Sequence, residues 1–64
     1  MLAIERKNEI LSILQKEQRV LVAELSTRYQ VTEETIRRDL EKLEKEGFVK
    51  KTYGGAVLNK NSTI

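Results

Sequence analysis

Two adjacent arginines, Arg37 and Arg38, follow a threonine, Thr35, in a segment that is predicted to be helical. A guanidinium group carries five N–H donors in a planar fork, which matches the paired acceptors O6 and N7 of guanine. A threonine nearby can contact a thymine methyl group or a phosphate. Side chains of these types near the N-terminal end of a helix are candidates for contacts to DNA bases.

The helix that carries them is predicted to run from about residue 33 to residue 46 and to stop at Gly47. Thr32 has the side-chain oxygen that an N-cap needs. Glu33 and Glu34 place negative charge in the first turn, where it stabilises the helix dipole. A helix is therefore expected to begin directly after Thr32.

The apolar side chains of this helix fix its orientation, because they recur at helical spacing: Ile36, Leu40 and Leu43. This stripe is expected to face the core, so that Arg38 projects from the opposite side and Arg37 flanks it. Asp39 lies beside the stripe, where we expect it to hold a neighbouring basic side chain or a backbone group. Glu34 could accept a hydrogen bond from a cytosine amino group or serve the helix N-terminus, and we favour the second role.

Length and composition limit the possible functions. The chain has 64 residues, a net charge of +2, and no cysteine or histidine. It is expected to form one small domain without room for a substrate cavity. Disulfides, zinc fingers, cysteine nucleophiles and the commonest general base are excluded, so we expect neither an enzyme nor a metal or cofactor site. No segment has the length of a membrane span or a secretory signal, which predicts a cytoplasmic protein.

The rest of the chain predicts two further helices and a short strand. Residues 3–17 form the first helix, whose apolar face comprises Ala3, Ile10 and Leu14, widened by Ile4 and Leu11. Residues 19–21 favour a minor strand. Residues 22–29 form the second helix, and about three residues separate it from the third. Such a short connection is typical of a helix-turn-helix.

A β-hairpin is predicted after the third helix. Residues 48–53 are β-like, Gly54-Gly55 is a turn signal, and residues 56–58 return as the partner strand. An isolated hairpin is marginal in water, so it must pack an apolar side chain on the helices, the candidates being Phe48, Val49 and Val57.

The hairpin also offers candidate phosphate contacts. Lys50 and Lys51 could protect a strand edge, bind phosphates, or do both. Lys42 and the backbone N–H groups near Gly54 and Gly55 are further candidates. Tyr53 could pack inward or donate its hydroxyl to a phosphate.

Together these residues resemble the N-terminal winged helix-turn-helix domain of the DeoR family of bacterial transcription regulators over about residues 3–58. The most specific parts are Val31-Thr32-Glu33-Glu34-Thr35-Ile36-Arg37-Arg38-Asp39-Leu40, followed by Leu43, Gly47 and then Tyr53-Gly54-Gly55-Ala56. Three positions depart from the usual pattern: Tyr53 stands in place of His, Thr32 in place of Ser, and Gln30 at a turn position often held by Gly, Asn or Asp.

The resemblance implies a mostly α fold with a small β wing, a three-helix winged helix-turn-helix. The helix-turn-helix would span about residues 20–39 and the wing about 48–58, and residues 59–64 are a tail or the start of a linker. Groove contacts would come from Thr32, Thr35, Arg37 and Arg38. No cofactor is implied.

The expected function is sequence-specific binding of double-stranded operator DNA, within a bacterial repressor of sugar or related carbon-source genes. The resemblance further implies a homo-oligomeric regulator with a C-terminal effector domain that is absent from this chain. The alternative is a winged-helix module that binds another protein and not DNA. Such a module would expose aromatic or methionine side chains, whereas this surface offers arginines, lysines and glutamates.

Overall fold

A computed structural model describes residues 1–59. Its elements follow in chain order: α1 (Ala3–Glu17), β1 (Arg19–Leu21), α2 (Val22–Tyr29), α3 (Glu33–Lys45), β2 (Val49–Thr52) and β3 (Gly55–Leu58). The predicted mostly α fold with a small β wing is confirmed. A tail was predicted for residues 59–64, and all of it except residue 59 lies outside the described residues.

The helix boundaries follow the sequence signals closely. The side chain of Thr32 accepts a hydrogen bond from the backbone N–H of Thr35 at 3.2 Å, which confirms the predicted N-cap of α3. Residues 30–32 separate α2 from α3. Gln30 ends α2 in the left-handed conformation, with φ 56° and ψ 44°, a region in which a side chain is strained.

The wing belongs to a three-stranded antiparallel sheet of order β1-β3-β2. The predicted minor strand β1 is confirmed, and it pairs with β3, so that β3 is central. The predicted turn at Gly54-Gly55 is wrong by one residue. Thr52 pairs with Gly55 across β2 and β3, which leaves Tyr53 and Gly54 as the turn. Gly54 supplies the positive φ of 83° that this turn requires.

Gly55 lies in the sheet at a position where no side chain fits. A Cβ atom there would lie 2.0 Å from the carbonyl oxygen of Val20. In addition, the N–H of Val22 donates to the carbonyl oxygen of Gly54 at 2.8 Å. The wing turn is therefore attached directly to the start of α2.

One apolar core joins the helices to the sheet. Its buried residues are Ile10, Leu14, Val20, Val22, Leu25, Ile36, Leu40, Leu43, Val49 and Ala56. The apolar stripe predicted for α3 is fully buried, which confirms the orientation of that helix. Of the three predicted candidates, Val49 is buried in the core, together with Ala56 of β3, whereas Phe48 is 43% exposed.

The predicted apolar face of α1 is wrong at its N-terminal end. Ala3 is exposed and Ile4 is 58% exposed, so the first buried side chain of this helix is Ile10. A domain this small lacks the interior volume to cover every turn of a fifteen-residue helix. No helix within residues 1–59 has the length and apolar character that crossing a membrane requires.

Candidate DNA-binding surface

The two arginines of α3 project into solvent. The side chains of Arg37 and Arg38 are 57% and 72% exposed, whereas Ile36 and Leu40 on the other side of the helix are buried. This burial pattern agrees with the apolar periodicity of the sequence. The guanidinium groups are therefore accessible to a ligand that approaches α3 from outside.

Each arginine is paired with a glutamate one turn earlier. Arg37 donates from Nη2 to Glu33 Oε1 at 3.2 Å, and Arg38 donates from Nη2 to Glu34 Oε1 at 2.9 Å. Neither role considered for Glu34 included this contact. We call these two contacts the exposed pairs of α3. Since each uses one donor of a guanidinium group, most donors of both arginines remain available.

The two threonines at the start of α3 are linked to one another. Besides the cap, the hydroxyl groups of Thr32 and Thr35 share a hydrogen bond of 2.9 Å. One hydroxyl proton of the pair is used in this bond, so one is left to donate elsewhere. The first turn of α3 thus presents a hydroxyl donor beside the backbone N–H groups of a helix N-terminus.

The predicted lysines do not form one cluster. Lys51 lies against α3, because its Nζ atom is 3.4 Å from Glu41 Oε2 and its backbone N–H donates to Glu44 at 3.0 Å. Lys42 lines a separate depression with residues of α1. Lys50 is exposed on the wing. Within residues 1–59, neither Lys42 nor Lys50 forms an ion pair.

A cleft separates α3 from the wing. Its rim brings together the exposed residues Arg37 and 51–54, and its floor includes the buried residues Val22, Leu40 and Gly55. Tyr53 is fully exposed at the turn, which excludes the inward packing considered for it. Gly55 is buried and paired on both sides in the sheet, so it supports the cleft and does not present its backbone to solvent.

A buried ion pair holds α3 from the other side. The guanidinium group of Arg6 donates from Nε and Nη2 to the two carboxylate oxygens of Asp39, and these side chains are only 11% and 10% exposed. Asp39 thus has the predicted role of holding a basic side chain. The hydrogen bonds to Asp39 raise the pKa of Arg6 above its ordinary value, so the pair is permanently charged on the arginine side.

Sequence reasoning did not identify two of the residues that bear on this surface. The partner of Asp39 gave no local signal, because Arg6 lies on another helix 33 positions away. Arg28, at the exposed end of α2, has its guanidinium carbon 5.9 Å from the ring centroid of Tyr29. An exposed cation on the first helix of a helix-turn-helix is a candidate phosphate contact, because that helix crosses the DNA backbone.

Three helices, a short turn between α2 and α3, and a hairpin beside α3 define a winged helix-turn-helix domain. The family model described as a DeoR-like helix-turn-helix domain matches residues 6–62. The chain therefore belongs to the DeoR-like helix-turn-helix family.

Several curated relatives are transcription regulators. The uncharacterized regulator YulB of Bacillus subtilis is 53% identical over 89% of this chain and 22% of its own length. The putative aga operon transcriptional repressor of Escherichia coli O157:H7 is 41% identical over 92% of this chain and 22% of its own length. The putative galactitol utilization operon repressor of Escherichia coli K12 is 39% identical over 84% of this chain and 48% of its own length.

This chain thus spans less than half the length of each of these three relatives. No solved structure matches the chain.

Proposed function

We propose that this domain binds operator DNA, with α3 in the major groove and the wing along the neighbouring backbone. The observation that carries the proposal is the exposure of Arg37 and Arg38 on the outer face of a helix whose other face is fixed in the core. Arg38, which is the more exposed, is assigned to guanine O6 and N7. Arg37 lies at the rim of the cleft, within reach of the same duplex.

Phosphate contacts are assigned to the residues around the arginines. Lys50, which forms no ion pair within residues 1–59, carries its charge on the wing, and Lys51 lies at the cleft, where a phosphate can replace Glu41. Lys42, the hydroxyl of Thr32 or Thr35, the hydroxyl of Tyr53 and the backbone at Gly54 complete this set. Three to four neutralised phosphates predict a slope of log affinity against log salt between about −2.7 and about −3.6.

The domain is proposed to act within a cytoplasmic bacterial repressor of sugar or related carbon-source genes. Two of the relatives described above carry names of operon repressors, and one of these names refers to galactitol utilization. A single small module binds weakly, so we propose a homo-oligomeric regulator with an effector domain that presents two or more modules to repeated half-sites. Linked modules raise the effective concentration at the second site without any new contact.

Fluorescence anisotropy with a mixed-sequence duplex, at two salt concentrations, tests the proposal. DNA binding predicts affinity that falls with salt at the slope given above. A domain that docks only on another protein would show no salt-dependent affinity for any duplex, and this result would refute the proposal. Selection of duplexes from a random pool then supplies the preferred sequence for the experiments below.

A further inference from the structure

The acidic residues on the DNA-facing side of α3 need an explanation, because a phosphate backbone repels them. Glu33 and Glu34 have side chains that are 50% and 67% exposed. Both lie next to the arginines that the proposed function assigns to DNA. Negative charge in the first turn stabilises a helix, but that role does not require contact with Arg37 or Arg38.

The exposed pairs change what each arginine offers to DNA. An arginine whose guanidinium group lies 2.9 Å from a carboxylate, as Arg38 does, presents little net positive charge to a phosphate at the same place. A phosphate that binds this arginine must displace the carboxylate or lie beside it, and like charges at that distance repel. The exposed pairs therefore weaken contacts to the DNA backbone.

A guanine edge makes a different demand. O6 and N7 are neutral acceptors, and they need two N–H donors of the fork. The contact to Glu34 uses one Nη2 donor of Arg38, so a bidentate contact to guanine is possible without breaking the pair. The carboxylate also holds the guanidinium group in place, which reduces the loss of side-chain freedom on binding.

We propose that Glu33 and Glu34 are specificity-determining residues, which suppress binding to non-operator DNA by pairing with Arg37 and Arg38. This inference rests on the proposed DNA binding and extends it to the choice between duplexes. Non-specific affinity depends on phosphate contacts, and the exposed pairs weaken that term while leaving recognition of a base edge available. The ratio of specific to non-specific affinity is thereby increased.

The test compares two variants of equal charge. Glu33→Gln/Glu34→Gln removes both pairs and retains side chains of nearly the same shape. Glu17→Gln/Glu24→Gln changes the net charge equally at two exposed residues that pair with no arginine in the described part of the chain. Each protein is titrated with a randomised duplex and with the duplex recovered by selection, at two salt concentrations.

We expect the first variant to bind the randomised duplex about tenfold more tightly, with the selected duplex changed less than about threefold, so that the specificity ratio falls. The second variant is expected to change both affinities by a similar, smaller factor. Equal specificity ratios for the two variants would overturn the inference while leaving DNA binding intact. Absence of salt-dependent binding by the unmodified domain would instead refute the proposed function, and the inference with it.

Two measurements separate this effect from a change in folding. Helical circular dichroism and thermal unfolding establish that the variants are folded at the titration temperature, and the single variant Glu34→Gln serves if the double variant is not. The effect of Glu34→Gln on the randomised duplex is also measured with Arg38→Ala present. We expect the factor by which Glu34→Gln tightens this binding to be at least about twofold smaller in the protein that carries Arg38→Ala. An unchanged effect would show that Glu34 does not act through Arg38 and would overturn the inference.

Discussion

The two sides of α3 carry ion pairs of opposite character. On the inner side, Arg6 and Asp39 are about nine-tenths buried and joined by two hydrogen bonds. On the outer side, Arg38 and Glu34 form one hydrogen bond, and their side chains are 72% and 67% exposed. Burial decides what each pair does, because water solvates the separated charges of the outer pair and not those of the inner one.

This difference separates the positioning of α3 from its contacts with a ligand. An exposed pair at this helical spacing contributes only about 0.3–0.5 kcal/mol to the stability of the helix, so it can be broken without unfolding the domain. Removing one partner of a buried pair costs about 3–5 kcal/mol. The same helix therefore has one face that stays in place and another that is free to exchange partners.

The largest expected effect comes from breaking the inner pair. Asp39→Ala leaves the guanidinium group of Arg6 without its partner, and we expect the free energy of unfolding to fall by about 3 kcal/mol. That is a large share of the roughly 3–10 kcal/mol available to a domain of this size. Urea unfolding followed by circular dichroism measures the loss.

A matched control for Asp39→Ala is Glu46→Ala, which breaks the exposed contact between Lys7 and Glu46 at 2.8 Å. We expect a loss below about 1 kcal/mol for this variant. Arg6→Met/Asp39→Leu should recover much of the stability, because it removes both charges together. Equal losses for Asp39→Ala and Glu46→Ala would contradict the proposed difference in stabilisation between a buried and an exposed ion pair.

The next effect concerns binding and not folding. Arg38→Ala removes the contact assigned to guanine, and we expect a loss of about 1–3 kcal/mol of discrimination at one base pair. The free energy of unfolding should change by less than about 0.5 kcal/mol, because the side chain is exposed. A gel-shift series with single-base variants of the selected duplex measures the discrimination.

Lys51→Ala is the companion variant to Arg38→Ala. It removes a proposed phosphate contact, so it should weaken all duplexes about equally and make the salt slope shallower by about one. If Arg38→Ala kept the same preference among duplexes, its assignment to a base would be wrong.

A smaller effect on stability is expected from the N-cap at the start of α3. Thr32→Ala removes the hydroxyl oxygen that accepts from Thr35 N–H at 3.2 Å, and we expect a loss of about 1 kcal/mol of stability. Thr32→Ser retains the oxygen and should retain the stability. Thermal unfolding of the two variants checks this. An equal loss in both would show that the methyl group of Thr32 matters more than the cap.

The sequence predicted the parts of this fold that depend on local chemistry. The N-cap at Thr32 and the stripe of Ile36, Leu40 and Leu43 need only residue types at helical spacing, and the structure confirms both. The pairing of β1 with β3 could not be derived, because it joins residues more than 30 positions apart. The same holds for the partner of Asp39.

The sequence predicted which side of α3 forms the candidate surface, but it did not predict the side-chain contacts on that surface. Helical geometry placed Arg38 outward, and it is exposed. The contacts of Arg38 with Glu34 and of Lys51 with Glu41 depend on side-chain rotamers, which periodicity does not specify. The turn was misplaced because either glycine of Gly54-Gly55 satisfies the local pattern. Gly55 pairs with Leu21 and Thr52 in the sheet and lies close to Val20, and its contacts with β1 join distant parts of the chain.

The smallest expected effect concerns a contact of intermediate burial, between α1 and α2. The hydroxyl of half-buried Tyr29 donates to Glu9 Oε1 at 3.1 Å, and burial together with this bond raises the pKa of Tyr29. The unfolded chain therefore releases this proton at a lower pH than the folded domain, so the stabilisation is complete below about pH 10 and is lost as the pH rises through the folded-state pKa.

Tyr29→Phe removes that proton, and urea unfolding from about pH 8 to about pH 11 compares the variant with the unmodified domain. The variant should be less stable at the lower pH, because the bond to Glu9 is lost, and the difference should narrow as the pH rises. Tyr53→Phe, at a fully exposed position, provides the control for the loss of a tyrosine hydroxyl that has no buried contact within residues 1–59. A Tyr29→Phe difference that stays constant across the range would show that the contact with Glu9 does not stabilise the folded domain. In that case, the contact between α1 and α2 would resemble the exposed pairs of α3 more than the buried pair of Arg6 and Asp39.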